Sequence, residues 1–221
     1  MRYVLPSVLF AALAAMVLLS PHVEPRRLRA RAALLGERLR AERGFTPGSK
    51  AAWLTARSTG WPPFHYGSRQ AVDGELVGTL DGLAVRVAGY ECVYAGTRYR
   101  YGLAGFAVPR PVEWAEVRGE TAFSAARVAE HVPDGPRTGP VPDFNRLYQL
   151  YAVEPQAVAL VTSRETAQAM LDLPERFNWR CVDSEVLLWK RDGWRDAESL
   201  IASVRAVAGL VEAAASSDWL V

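Results

Sequence analysis

A cysteine becomes a nucleophile when a neighbouring base holds it as the thiolate, and the chain offers one such pairing, Cys92 with His131 as base. Cys92 also stands among Val85, Val87, Tyr90 and Val93, where a free cysteine serves as a small hydrophobe, and that core role is the one we expect. No two of the three histidines, His22, His65 and His131, lie at ligand spacing. Two cysteines, Cys92 and Cys181, exclude a four-cysteine zinc site and a disulfide framework. No HExxH, Cys-x-x-Cys, G-x-S-x-G, Walker A or G-x-G-x-x-G run occurs, so no metal, cofactor or catalytic set is expected. Close acidic pairs include Glu113 with Glu116 and Asp183 with Glu185. An odd separation puts the first pair on opposite faces of a strand, and the second flanks a predicted turn, so both read as surface residues. Residues 97–103 (TRYRYGL) alternate arginine with tyrosine. Bases could stack on such a strand, but so does a half-buried strand present itself, tyrosine inward and arginine outward. The acidic body around it speaks against a nucleic-acid partner.

Charge is the stronger signal. The 221 residues carry a net +2, which hides an asymmetry. Seven arginines (Arg26, Arg27, Arg29, Arg31, Arg38, Arg40 and Arg43) stand against three glutamates in residues 21–43, while residues 44–221 carry a net −3. Ahead of this basic collar, residues 3–23 have no charge and 4–19 are nearly all apolar, enough for a membrane helix of about 20 residues. Arginine clustered within about 20 residues of a span stays in the cytoplasm, which places the body inside. The competing reading is a cleaved secretory signal. It needs a small-x-small site at the end of the run, where Leu18-Leu19-Ser20 stands instead. On the anchor reading Cys92 and Cys181 would be reduced; on the signal reading they could pair, so their oxidation state would report the side of the membrane.

The elements that must position these residues follow from periodicity. Leu28, Ala32, Leu35 and Leu39 recur at helical spacing within 25–43, a narrow apolar stripe that Gly44 ends. This amphipathic helix suits an anionic leaflet, with Arg26, Arg27, Arg29 and Arg31 toward the headgroups, a short coiled coil with a second copy, or a solvated stalk. A short helix is expected over 49–58. Residues 75–80 and 83–94 flank Asp81-Gly82 as a hairpin, and Ala95-Gly96 turns into a strand over 97–108 that Pro109 and Pro111 end. A further strand covers 112–117, a helical turn falls within 122–130, and a proline- and glycine-rich loop covers 131–142. A strand over 144–153, a helix over 164–172 opened by Thr162 or Ser163, a hairpin of 177–182 with 185–190, and a final helix over 196–214 complete the chain. The last helix shows Leu200, Val204, Val207, Leu210 and Val211 on one face.

These landmarks form an ordered set: Gly60-Trp61, Gly78 and Gly82, an apolar-proline stretch at 106–111, Asp-Phe-Asn-Arg-x-Tyr at 143–148, Met170-Leu171, Trp179-Arg180, and Leu187-Leu188-Trp189. In that order, over roughly 53–212, the chain resembles a family of membrane-associated actinobacterial proteins with a C-terminal domain of unknown function. The resemblance implies no catalytic residue and no cofactor, and makes Phe144, Tyr148, Trp179 and Trp189 candidates for packing the sheet against the last helix. The chain departs from the family by a short amino terminus and a long insertion at 120–142.

The expected organisation is a membrane anchor (1–23), a basic stalk helix (24–45) and one α+β domain (46–221). In that domain an antiparallel sheet, either a curved open barrel by analogy with pleckstrin-homology or GRAM domains or a plain helix-on-sheet layer, is packed by a medial helix and a long C-terminal one. The expected function is a single-pass, non-catalytic binding or scaffolding module at the cytoplasmic membrane face, its partners the bilayer and a protein or second copy met through the stalk. The alternatives are a secreted protein released by signal cleavage and an enzyme built around Cys92 and His131.

Overall fold

The computed structural model describes residues 27–48, 64, 67–119 and 136–216. The predicted span, Arg26, the three histidines, the helix over 49–58 and the helical turn over 122–130 lie outside the described residues. Among those described, no helix is long and apolar enough to cross a membrane.

The architecture is α+β: one antiparallel sheet with helices on one face. Residues 27–43 form α1, and Gly44, at φ 67°, turns the chain out of it as the sequence predicts. A two-residue strand β1 (Thr46–Pro47) leads to β2 (Ser68–Leu80), β3 (Leu83–Tyr94) and β4 (Thr97–Arg118). The two tight turns fall where expected, at Asp81-Gly82 and Ala95-Gly96, with positive φ at both central residues of each. Then follow α2 (Pro142–Leu147), β5 (Gln149–Ala152), α3 (Pro155–Thr162), α4 (Arg164–Leu171), β6 (Asn178–Arg191) and α5 (Ala197–Ser216).

The sheet is organised around β4. Its first half pairs with β3 and its last residues with β5 along the same edge, while β6 runs along the other edge of both. The pairing order therefore branches at β4, unlike the curved open barrel expected by analogy. Pro109 and Pro111 do not end the strand. They fall where the register with β6 shifts, between Ala107 and Val112, and a residue left out of the ladder needs no N–H. The hairpin expected around Asp183-Ser184 is likewise one continuous strand, because both of its arms pair with the longer β4 instead of with each other. Asp183, at φ 55°, absorbs the irregularity opposite Val112.

The strand expected over 144–153 is half helix. Pro142 occupies the first turn of α2, Asp143 follows it, and Phe144 and Tyr148 stack four residues apart with ring centroids at 4.8 Å. Only residues 149–152 are extended. In place of one medial helix there are three short ones. The cap on α4 is as predicted, Ser163 Oγ accepting from Thr166 N–H at 3.0 Å. Asp196 caps α5, accepting from the Ser199 N–H at 2.8 Å.

The main core lies between the helices and one sheet face. Leu200, Val204, Val207 and Val211 of α5 meet Val85, Ala104, Phe106, Val117, Trp179 and Leu188 there. Phe144, Tyr148 and Trp179 belong to this core as expected, but Trp189 does not. Leu188 faces the helices, so strand alternation turns Trp189 to the opposite face, among Tyr90, Cys92, Tyr101 and Leu103.

Candidate functional site

The helix α1 builds the most distinctive feature of the molecule. Leu39 is 1% exposed in the main core, and the Phe45 N–H donates to the Leu39 carbonyl at 3.2 Å, folding the chain back beneath the helix end. Arg43 Nη2 reaches Glu198 of α5 at 3.0 Å. The helix is thus joined to the body by its C-terminal end. Toward its N-terminus a cavity of about 410 Å³ lies between its apolar stripe and the sheet. Leu28, Ala32, Leu35 and Leu39, the stripe that suggested a coiled coil or a leaflet contact, form its roof.

The floor exists because of a glycine pair. Gly89 on β3 and Gly102 on β4 are direct cross-strand partners on the helix-bearing face. A methyl group on Gly102 would stand 3.0 Å from the Trp194 ring, so the glycine lets that indole lie against the sheet. Trp194 is held there by Nε1 donating to Ser203 Oγ at 3.1 Å. The Asp73 carboxylate hangs over Gly89 from β2. On one side of the glycines the floor is apolar, Val87 paired with Ala104; on the other it is charged, Glu91 paired with Arg100. Glu91 is bridged by Arg100 and, at 3.2 Å, by Arg98. Arg29, Arg31 and Arg40 edge the roof, and Asp73 and Asp192 edge the floor. This combination of an apolar interior and a few charged groups is what small-molecule sites share.

Of the expected membrane-surface residues, Arg27, Arg29 and Arg31 are exposed on α1, and the latter two also border the cavity. The tyrosine-arginine strand divides as a half-buried strand should, with Tyr101 buried, but Arg100 points to the cavity and its ion pair with Glu91 rather than outward.

The cysteines are not where reactive chemistry would want them. Cys92 is fully buried, and burial pushes its thiol up, with the nearby Tyr90 hydroxyl acting the other way and the Glu91 charge adding to the rise. Cys181 is pushed up to about 12, by burial first and the Asp183 charge second. The two belong to core clusters on opposite faces of the sheet, so the folded chain cannot join them on either side of a membrane. Their oxidation state therefore does not report topology, contrary to the sequence expectation.

Glu116 is likewise no surface residue. It is 0% exposed, on the face opposite the helices, beside Arg118 and Arg180, which are also buried. Arg118 Nε donates to Glu116 Oε1, and Arg180 Nη1 lies 3.9 Å from Oε2, an ion pair without a hydrogen bond. Arg118 lies over the Tyr151 ring at 5.2 Å and Arg180 over Trp189 at 5.7 Å. Burial lowers Arg180 to about 10, with Glu116 opposing, so it remains a cation at neutral pH. The signal available in sequence was the period-two spacing of Glu116 and Arg118, which must share a face.

Fold and cavity together define a class: an antiparallel α+β sheet domain with a small-molecule-sized space held between its face and an amphipathic helix. No family model matches the chain, and no curated protein matches it. Among solved structures the chain is similar to the crystal structure of the mycobacterial trehalose monomycolate transport factor A, TtfA. The identity is 13%, with 80% of this chain and 94% of that chain covered and a TM-score of 0.54. At that identity the likeness is one of fold.

Proposed function

We propose that this chain is a single-pass, membrane-anchored, non-catalytic binding module of the membrane-associated actinobacterial kind, with its body on the cytoplasmic side, which takes an amphipathic ligand into the space beneath α1. The observation that carries this reading is the cavity itself, roofed by the helix that continues from the predicted span and bordered by the arginines that the charge bias assigns to the cytoplasm. The structural neighbour, a trehalose monomycolate transport factor, supports lipid traffic as the setting. The surfaces that the helix keeps in solvent, Arg27 and Leu34 among them, are open to headgroups or to a protein partner.

The test is to extract the full chain from membranes and measure its bound lipid by mass spectrometry, beside Ala32→Trp. Ala32 is an exposed roof residue, and an indole there fills the space without entering the core. Lipid bound to the native chain and lost from the variant is the expected result; equal lipid on both, or none on either, refutes the reading. Protease digestion of inverted vesicles checks topology, the body being cut from the cytoplasmic side.

A further inference from the structure

From the size, polarity gradient and charge balance of the cavity we infer that its ligand is a lipid with a single acyl chain and an anionic, hydroxyl-bearing headgroup. The inference rests on the binding reading above and adds the chemistry of the occupant. The volume, about 410 Å³, lies near the low end of the roughly 300–1,000 Å³ that small-molecule sites span, which favours one acyl chain over two.

Direction comes from the strands. Along the floor the cross-strand pairs run from Val87 with Ala104, through the bare Gly89 with Gly102, to the charged Glu91 with Arg100. The roof runs the same way. Gly36 of α1 lies beside the Leu76 side chain, and Leu76 pairs with Val87, so the C-terminal part of the helix covers the apolar end. Leu28 lies eight residues before Gly36, about 12 Å along the axis, toward the charged end. An acyl chain therefore belongs beneath Leu35 and Leu39, and a headgroup beside Glu91 and Arg100. That is also the end from which the helix connects to the predicted membrane span.

The headgroup's charge follows from which groups are already engaged. Glu91 is held by Arg98 and Arg100. Arg29 and Arg31, on the N-terminal half of α1 and so toward the charged end, have no acidic partner among the described residues. A phosphate or carboxylate can draw charge-assisted hydrogen bonds from them. Asp73 and Asp192, facing them across the cavity, would repel a bare anion but accept hydrogen bonds from hydroxyls on the same headgroup.

The experiment uses the full chain in neutral detergent and native mass spectrometry. The probes are lysophosphatidylglycerol, lysophosphatidylcholine with the same chain, oleate and diacyl phosphatidylglycerol. Both lysolipids carry the phosphate, so the difference reads net charge: lysophosphatidylglycerol is expected to bind about tenfold tighter than lysophosphatidylcholine, whose choline cation the arginines repel. The double variant R29Q/R31Q, altered only at exposed helix positions, should lose that preference, binding both lysolipids more weakly and about equally. Oleate binding as tightly as lysophosphatidylglycerol would assign the site to the carboxylate alone and overturn the hydroxyl-bearing part; weaker oleate binding supports it. Equal binding of the two lysolipids, a preference that survives in the double variant, or diacyl phosphatidylglycerol binding as tightly as its lyso form overturns the inference while leaving the cavity reading intact. Lysolipid binding undiminished by Ala32→Trp overturns the cavity reading itself.

Discussion

On the helix-bearing face of the sheet, Val85, Ala104, Phe106 and Leu188 are covered by the aliphatic face of α5. On the opposite face, a comparable depth of burial is reached by Glu116, Arg118 and Arg180, a carboxylate between two guanidiniums flanked by Tyr151 and Trp189. The two faces tolerate imperfection differently. Apolar burial is non-directional, so the helix-bearing face can leave a space over Gly89 and Gly102 and still hold together through its other contacts. Buried charges are directional and need their partners, so the opposite face depends on single atoms.

The sharpest way to break this contrast is to remove Glu116. Glu116→Ala leaves two guanidiniums buried without their carboxylate and should cost about 3–5 kcal/mol in urea unfolding. Replacing all three residues with apolar side chains of similar volume should recover most of that loss; if it does not, the charges contribute more than mutual neutralisation. On the helix-bearing face, Leu200→Ala, at a fully buried position, should cost about 2–5 kcal/mol. A value near the lower limit would show that the neighbouring space lets the core relax. A smaller effect is expected at the start of α5, where Asp196→Ala removes a helix cap worth about 1 kcal/mol. Ser199 N–H and hydroxyl, then Arg195, hold the Asp196 carboxyl at about 2, below its ordinary value near 3.8. A lowered carboxylate stabilises the fold above its ordinary pKa and loses that contribution as the pH falls through its folded value. The gap between native chain and variant should therefore be full above about pH 4 and shrink toward pH 2. The smallest effect belongs to Arg205→Ala, which breaks an exposed bidentate pair with Asp81 and should leave the melting temperature unchanged within error.

What could be read from the chain alone was local. The hairpin turns at Asp81-Gly82 and Ala95-Gly96, the Ser163 cap, the stop at Gly44 and the apolar faces of α1 and α5 each depend on a few adjacent residues. Their geometry is set by φ preference, capping and helical period. Two local signals were there and went unused: the Pro142-Asp143 start with Phe144 and Tyr148 four apart, and Pro155 ahead of Ala157, Leu160 and Val161.

Of the site itself, the residues of the roof were legible and their use was not. A stripe of Leu28, Ala32, Leu35 and Leu39 states that one face of a helix avoids water, but a bilayer, a second copy and the chain's own sheet satisfy it equally. The same limit explains Pro109 and Pro111, which interrupt a ladder only where a partner demands their N–H, and Glu116, whose burial depends on strands far away in sequence. The sequence by itself determined the tight turns, the helix stops and caps, the basic collar and the absence of the familiar catalytic motifs, because those rest on neighbours along the chain. Only the tertiary structure decided that β4 carries both β6 arms on one edge, that the cysteines part to opposite faces, and that two glycines meet across strands beneath a basic helix. Register and docking are properties of pairs of segments, and a side chain's environment exists only once both members are in place.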